Sequence, residues 1–307
     1  MTACKLSVLK TLAFFDIFDY SPTIFELWRW QLDTERIHAL EDIKGAILLL
    51  EGKVISNGVI YGLAGRSLDA RMHRRRLRGR YALRKNQKLL RYIRRFARFI
   101  PGIRAIAICN TRLPFLYAEQ KSDIDLLVVT HKGMIWFVRM ILISVLKLLH
   151  LRPGEVSQDA FDHSIFVTDE ALDFSVIADV NPRYMAAWVA SLDIVYGHHD
   201  MLKAIRTHND WVRDYFPAWE SFNRVDVWRV RLWPDIARLT LPLFRLLDRW
   251  ARTWQQRHFT ARVAGQINIS TAVVVNNTML KFHTTDKRDE YSHRYDEICS
   301  EIGVFVK

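Results

Sequence analysis

Three short apolar runs in the middle of the chain constrain its fold more than any other feature. They cover residues 103–108, 124–130 and 161–167, and a longer apolar stretch, 134–151, separates the second run from the third. Runs of this length that are rich in β-branched residues are typical of buried strands, and the longer stretch is typical of a helix. Strands that alternate with helices predict an α+β core built around a mixed sheet.

The stretch 134–151 is also the best membrane candidate in the sequence. Arg139 and Lys147 interrupt it, and a charge at the centre of a spanning helix costs about 2.5–3.5 kcal/mol. We therefore expect a buried or amphipathic core helix and no membrane insertion. The N-terminus lacks a signal-peptide pattern, and the three cysteines lack the spacing of a disulfide or metal framework, so we expect a cytoplasmic location.

The N-terminal third has the signals of three helices and a hairpin. Apolar residues recur at helical spacing over residues 5–15, Ser21-Pro22 predicts the start of a second helix, and a third periodic stretch covers 34–50. Asn57-Gly58 between β-branched residues predicts a hairpin. This order of elements is that of a winged helix. The alternative is a small helical cap that packs on its neighbour.

Positive charge is concentrated in one segment. The chain has 45 Lys and Arg against 33 Asp and Glu, a net charge of +12, and 15 of the basic residues lie between Arg66 and Arg104 with only Asp69 opposing them. An excess of this size is typical of polyanion binding. The pattern predicts one helix that ends before Pro101.

Two interpretations of this basic helix stay open. In the first it binds nucleic acid or another polyanionic acceptor through arginines, with Tyr81 and Tyr92 available for stacking. The candidate arginines are Arg74, Arg75, Arg76, Arg91, Arg94 and Arg95. In the second it is a linker helix whose charges pair with acidic residues elsewhere in the chain.

Two aspartates begin the second predicted strand. Asp123 and Asp125 are two residues apart, so on a strand they point to the same face. Mg²⁺ prefers an all-oxygen shell of this kind and keeps several waters. The apolar run 126–129 puts the pair at the edge of a buried strand, where unpaired carboxylates are costly. The pair therefore predicts a Mg²⁺ site, although two solvated acids at a strand start remain the alternative.

The string SDIDLLVVT, preceded by the strand-like IRAIAIC and the turn Asn110-Thr111, resembles the DNA polymerase β-like nucleotidyltransferase superfamily. The similarity extends to the long bacterial and archaeal type with an N-terminal winged-helix-like segment, through FDHSIFVTDEALDFS and Asn209-Asp210-Trp211. This resemblance implies a Mg²⁺-dependent enzyme that moves a nucleoside monophosphate from a nucleoside triphosphate to an unidentified hydroxyl acceptor, with release of pyrophosphate.

The resemblance also implies roles for individual residues. Asp123 and Asp125 match the metal-binding pair, and Asp162 is the best match for the third carboxylate, which helps to deprotonate the attacking hydroxyl; Asp159 is the fallback. These three residues, Asp123, Asp125 and Asp162, are thus the expected catalytic and metal-binding set.

The nucleotide would be bound by residues on either side of the predicted turn. Ser122 matches the small residue before the acidic pair, while Asn110, Thr111 and Arg112 stand where the family has Gly-Ser. Asn tolerates a left-handed backbone and Thr keeps a hydroxyl, so a phosphate-binding turn is compatible with them. Their bulk supports a second hypothesis, a non-catalytic nucleic-acid-binding or regulatory protein that keeps a degenerate nucleotidyltransferase fold.

A late segment, 279–288, combines Lys281, His283 and Arg288 with threonine hydroxyls. It either folds back near the active site or begins a solvated C-terminal helix. The complete expectation is a winged-helix-like domain at 1–66, a basic linker helix at 67–100, a nucleotidyltransferase core at 101–180 and a helical C-terminal region at 181–307.

Overall fold

The computed structural model describes residues 1–32, 34–109, 118–197, 199–219 and 237–304. Three helices begin the chain: α1 (Ala3–Asp16), α2 (Ile24–Arg29) and α3 (Leu40–Leu48). Thr23 caps α2, because its hydroxyl accepts a hydrogen bond from the amide of Glu26 while the Glu26 carboxylate accepts one from the amide of Thr23. The second helix therefore starts two residues later than the Ser21-Pro22 signal predicts.

The predicted hairpin follows these helices. Strands β1 (Val54–Ser56) and β2 (Tyr61–Leu63) pair in an antiparallel sheet. Asn57 accepts hydrogen bonds from the amides of Val59 and Ile60 through its side chain, and Gly58 has a φ of 86°, which favours glycine. The Asn57-Gly58 dipeptide thus forms the turn that the sequence predicts.

The basic segment forms one long helix, α4 (Leu68–Arg95), which Ser67 caps. It spans the 28 residues without a break at Gly79 and leads into a 3₁₀ helix at Ala97–Phe99. Its C-terminal half packs against the sheet through Leu89, Tyr92 and Ile93. The predicted helix over 67–100 is therefore confirmed in type and nearly in length.

A six-stranded mixed sheet forms the centre of the molecule. Its strands lie in the order β6-β3-β4-β5-β8-β7, with β4 and β5 parallel and every other neighbouring pair antiparallel. The strands are β3 (Ile103–Ile108), β4 (Ile124–Thr130), β5 (Phe161–Thr168), β6 (Asp193–Gly197), β7 (Val273–Val275) and β8 (Met279–Phe282). The expectation of a mixed α and β architecture around a mixed sheet is confirmed.

The region 181–307 differs from its prediction as a helical region. It contributes α6 (Pro182–Ser191), α7 (His199–His208), α8 (Ala237–Arg257), α9 (Ala261–Ala264) and α10 (Arg288–Glu301), but also β6, β7 and β8. These strands complete the sheet on both sides of the predicted core, because β6 pairs with β3 and β8 pairs with β5. The sheet therefore crosses the expected boundary at residue 180.

The sheet separates two apolar cores. Alternate strand residues point to opposite faces, so Ile106 and Val128 join one core with α4, α5 (Ile135–Leu148) and α8, while Ala107 and Leu127 join the other with α1, α6 and α10. Asp248 of α8 caps α5, because its Oδ1 accepts hydrogen bonds of 2.8 Å from the amides of Trp136 and Phe137, the second and third residues of that helix. None of the described helices combines the length and the apolar character needed to cross a bilayer.

Candidate functional site

Two of the predicted carboxylates face each other across parallel strands. Asp125 of β4 is the direct register partner of Asp162 of β5, and Asp123 lies two residues before Asp125, just ahead of the strand. Because side chains alternate along a strand, Asp125 and Asp162 leave the side of the sheet that buries Phe161 and point to the side of α6 and α10. The local register of β4 and β5 therefore brings both carboxylates to one place.

Burial and mutual repulsion raise the pKa values of these carboxyls. Burial raises the pKa of Asp125 to about 7, with further contributions from the charges of Asp162 and Asp123. Burial and the charge of Asp123 raise the pKa of Asp162 to about 6, and burial raises that of Asp123 against the opposing charge of Lys85. Within the described residues, neither the Asp125 carboxylate nor the Asp162 carboxylate receives a hydrogen bond or an ion pair. An unsatisfied pair of this kind binds either a proton or a cation favourably.

The carboxylates are not arranged as a closed ligand set. Among the residues that the structure describes, no three His, Cys, Asp or Glu side chains lie close enough together to hold a metal ion. The structure thus brings Asp125 and Asp162 together, and Asp123 acts on both through its charge.

The carboxylate pair lines a cavity of about 400 Å³. Its apolar wall includes Met185 and Trp188 of α6, which are 3% and 5% exposed. The opposite wall comes from the segment that joins β8 to α10, with Lys281, His283 and Arg288. A cavity with an apolar wall and a few converging polar groups is the usual form of a small-molecule site.

The late segment therefore lines the carboxylate cavity at residues 281–288, so it folds back toward the predicted site. Arg288 is the first residue of α10 and is 4% exposed, and its guanidinium binds Asp286 at 2.6 Å and the hydroxyl of Thr271 at 2.8 Å. These contacts hold the connection between β8 and α10 against the cavity. The ion pair with Asp286 offsets part of the desolvation cost of the buried Arg288 guanidinium.

Lys281 and His283 differ in charge. Burial lowers the pKa of Lys281 to about 8, with the nearby Arg288 adding to the effect, so most Lys281 ammonium groups stay charged at pH 7. The ammonium group donates to the carbonyl of Thr271. Burial and the charge of Lys281 lower the pKa of His283 to about 4, so its imidazole is neutral at the same pH. The cavity therefore has a cationic side at Lys281 and an anionic side at Asp125 and Asp162.

Two tyrosines that the sequence did not single out also line the cavity. Tyr184 of α6 and Tyr291 of α10 stack with their ring centroids 5.3 Å apart and an angle of 27° between the rings. Burial raises the pKa of the Tyr184 phenol, as do the charges of Tyr291 and Asp125. The signal was weak, because the two residues are far apart in the chain and lie on different helices.

Comparisons with known proteins find no match: no family model, curated protein or solved structure matches the chain. The chemistry of the site follows from the carboxylate pair and from the cavity that it faces.

The fallback carboxylate, Asp159, has another role. Its Oδ1 lies 2.7 Å from the ammonium of Lys85, and its Oδ2 lies 2.8 Å from Nε of Arg84, both on α4. Burial tends to raise the pKa of Asp159, but the hydrogen bonds from Lys85 and Arg84 outweigh it and hold the pKa below its usual value. Lys85 also donates to the carbonyl of Ser122. Asp159 therefore fastens the basic helix beside β4 and β5 through its pairs with Lys85 and Arg84.

The structure divides the candidate arginines into two groups. Arg75 is bound to Glu26 at 2.6 Å, and Arg74 lies 3.2 Å from Asp19, so these two residues connect α4 to the N-terminal helices. Arg76, Arg91, Arg94 and Arg95 are exposed. The linker interpretation therefore holds for the first group, and only the second group is available to a partner.

The prediction that Tyr92 is available for stacking is wrong. Tyr92 is 3% exposed and stacks on Phe161 with 4.6 Å between ring centroids, so it is a core residue and unavailable for stacking on a ligand.

The predicted nucleotide-binding residues are described only in part. The hydroxyl of Ser122 donates to the carbonyl of Glu119 and accepts a hydrogen bond from the amide of Glu119, which closes the turn before β4. The predicted nucleotide-binding turn, Asn110, Thr111 and Arg112, lies outside the described residues.

Proposed function

We propose that the protein transfers a nucleoside monophosphate from a nucleoside triphosphate to a hydroxyl acceptor, with Mg²⁺ as cofactor and pyrophosphate as the second product. One observation carries the proposal: Asp125 and Asp162 are direct partners on parallel strands, without hydrogen-bond or ion-pair partners among the described residues. Two half-buried carboxylates in this state are stabilised by a proton or by a bound cation, and Mg²⁺ would supply the cation.

The arrangement of elements supports a polymerase β-like core with a winged-helix-like domain before it. Strand β3 is antiparallel to β4, and β4 is parallel to β5, so the acidic pair and the third carboxylate come from neighbouring strands. The three helices α1 to α3 followed by the β1-β2 hairpin have the order of a winged helix. Fold alone does not determine function, so the proposal depends mainly on the residues of the site.

Asp125 and Asp162 would hold the metal, because carboxylate oxygens are the ligands that Mg²⁺ prefers, and Asp123 would add its negative charge beside them. When bound, Mg²⁺ supplies charge stabilisation for the triphosphate and for the pyrophosphate that leaves.

The remaining steps belong to the side chains of the cavity. Lys281 lies on the cationic side and fits the negative charge of a phosphate chain, and the Tyr184 and Tyr291 pair gives an aromatic surface of the kind on which a base stacks. Asp162 would accept the proton of the acceptor hydroxyl. The acceptor oxygen then forms a bond to the α-phosphorus, and the bond from that phosphorus to the bridging oxygen of pyrophosphate breaks.

The test is transfer of label from each of the four ribonucleoside triphosphates in the presence of Mg²⁺, together with metal-dependent nucleotide binding measured by calorimetry. Asp123→Asn/Asp125→Asn and Asp162→Asn should each reduce transfer by about 10²–10⁴-fold, the usual range for a lost acid–base group. Asp214→Asn is the matched control, because Asp214 is an exposed carboxylate that does not line the cavity. Absence of both labelled product and metal-dependent nucleotide binding would refute the proposal.

A second function has an observation of its own. The exposed arginines of α4 favour a nucleic-acid-binding or regulatory protein that keeps the same fold without catalysis. In that case the wild-type protein binds nucleic acid and transfers no label, and Asp162→Asn leaves the affinity for nucleic acid unchanged.

A further inference from the structure

Five arginines of α4 form one exposed stripe, which we call the arginine stripe: Arg76, Arg80, Arg91, Arg94 and Arg95. At 3.6 residues per turn they fall within a sector of about 100° around the helix axis. From Arg76 to Arg95 the stripe is about 28 Å long at 1.5 Å per residue. The stripe has two clusters on one side of the helix, Arg76 with Arg80 and Arg91 with Arg94 and Arg95. Between them Arg84 lies in the same sector but is paired with Asp159.

The two sides of α4 differ in their ion pairs with the rest of the chain. On the side that packs against the protein, acidic partners meet the basic residues: Asp16 lies 2.5 Å from Arg71, Glu26 binds Arg75, and Asp159 binds Lys85. Along the stripe, the structure gives no ion pair to any of the five arginines within the described residues. Apart from the pair between Arg84 and Asp159, the ion pairs of the described residues account for the charge on the inner side of the helix only.

The uncompensated charge has an energetic cost. Arg76 and Arg80, like Arg91 and Arg95, are four residues apart, and Arg91 and Arg94 are three apart. Like charges at these spacings each destabilise a helix by roughly 0.2–0.5 kcal/mol. A regularly spaced polyanion that lies along the helix would remove this repulsion.

Lys85 brings the stripe close to the carboxylate site. It binds the carbonyl of Ser122, the residue before Asp123, and the carboxylate of Asp159, three residues before Asp162. Helix α4 therefore passes the ends of β4 and β5 at which the carboxylates lie. The carboxylates of Asp125 and Asp162 point to the side of the sheet away from α4, so a strand bound along the stripe would approach them around the ends of β4 and β5.

The composition of the stripe distinguishes between polyanions. Leu83 is the one large apolar residue on the described outer side of α4 that is strongly exposed, at 46%. Binding in a lipid interface needs an apolar face that enters the acyl region, and the stripe lacks one. Tyr92 is buried, and the guanidinium of Arg84 lies over the ring of Tyr81 at 5.2 Å from its centroid. The stripe itself contains no aromatic residue, so its contacts would be to phosphates and not to bases.

We propose that the arginine stripe binds the sugar–phosphate backbone of a nucleic-acid strand. The identification of this strand as the hydroxyl acceptor rests on the proposed function, whereas the binding itself does not. Five phosphate contacts predict a slope of log K against log salt of about −3.5 for a single strand and about −4.5 for a duplex.

The test uses the full chain and fluorescently labelled RNA, single-stranded and duplex, of mixed sequence and long enough to cover the stripe. Arg91→Gln/Arg94→Gln/Arg95→Gln should weaken binding by on the order of tenfold or more at moderate salt and reduce the slope by about 2 to 3. Arg249→Gln/Arg252→Gln/Arg257→Gln is the matched control, since it removes the same charge from exposed positions of α8. The control should bind as the wild type does.

Equal loss of binding in both triple variants would overturn the proposal, as would unchanged binding in the α4 variant. Binding to vesicles with anionic lipid but not to RNA would overturn it in favour of a membrane partner. Arg76→Gln/Arg80→Gln repeats the test if the first α4 variant fails to fold, which thermal melting reports. Metal-dependent nucleotide binding is measured on the same samples: RNA binding without it supports the stripe and refutes the proposed function, and the reverse result refutes the stripe alone.

Discussion

Neutralising Asp159 tests whether α4 is fastened to the sheet through a buried charge. Lys85 is fully buried, with 0% of its surface exposed, and its ammonium has Asp159 as its only carboxylate partner among the described residues. Asp159→Asn keeps the shape of the side chain and tolerates its φ of 55°, but it leaves the Lys85 charge uncompensated. Removing one partner of a buried pair costs about 3–5 kcal/mol, and we expect about 3 because the amide oxygen can still accept one hydrogen bond.

Urea unfolding at pH 7 measures this cost. Glu119→Gln is a suitable control, because its pair with Arg78 on the same helix spans 3.7 Å and Glu119 is 67% exposed. An exposed pair of this kind contributes at most about 1 kcal/mol. Adding Lys85→Met to Asp159→Asn should restore much of the lost stability, because it removes the buried charge itself.

The pH dependence gives the second readout. The folded protein holds the pKa of Asp159 below its ordinary value, so the stabilisation is present above about pH 4 and disappears as pH falls through the lowered pKa. The difference between the wild type and Asp159→Asn should therefore shrink in acid. A loss of unfolding free energy below about 1 kcal/mol at pH 7, or a difference between the two proteins that does not change with pH, would show that the buried Asp159–Lys85 pair does not fasten α4 to the sheet.

Three further outcomes are expected from unfolding measurements. Asp125→Asn should raise stability by about 1 kcal/mol or more at pH 8 in metal-free buffer, and the gain should vanish toward pH 4, because the raised pKa makes the wild type lose stability as pH rises toward 7. A constant difference would contradict the burial of that charge. Asp248→Ala should cost about 1–2 kcal/mol, since it removes the cap of α5; an unchanged midpoint would show that the cap is dispensable. Gly197→Ala should cost at least about 1 kcal/mol more than Gly58→Ala, because both have positive φ but a Cβ at Gly197 would lie 2.7 Å from a backbone oxygen. Equal costs would rule out that steric contact.

The central strands were predictable because their signal is local. β3 and β4 match the apolar runs 103–108 and 124–130 at both ends, and β5 is one residue longer than its run. Strands β6 and β8 were missed for a physical reason. They join the sheet by pairing with distant strands, and β8 contains Lys281, whose charge is buried by its surroundings and not by its own sequence pattern. Tertiary context decides such strands.

The site was predictable in part. Placing Asp123 and Asp125 on one face required only the alternation of side chains along a strand. Asp162 was selected through the resemblance to the nucleotidyltransferase superfamily. The cavity required knowledge of how α6 and α10 pack, which no single segment encodes. The basic helix shows the same limit: Arg84 and Asp159 are 75 residues apart, so the sequence could not tell which arginines have internal partners.

The position of β8 next to β5 has a consequence for the order in which the protein becomes functional. During synthesis, the segments with the carboxylates leave the ribosome more than a hundred residues before Met279–Phe282. Until then β5 has a free edge, which is a site for mispairing with other chains. The cationic wall of the cavity arrives on the same late segment that covers this edge. A nascent chain therefore gains protection from aggregation and a complete binding cavity in a single step.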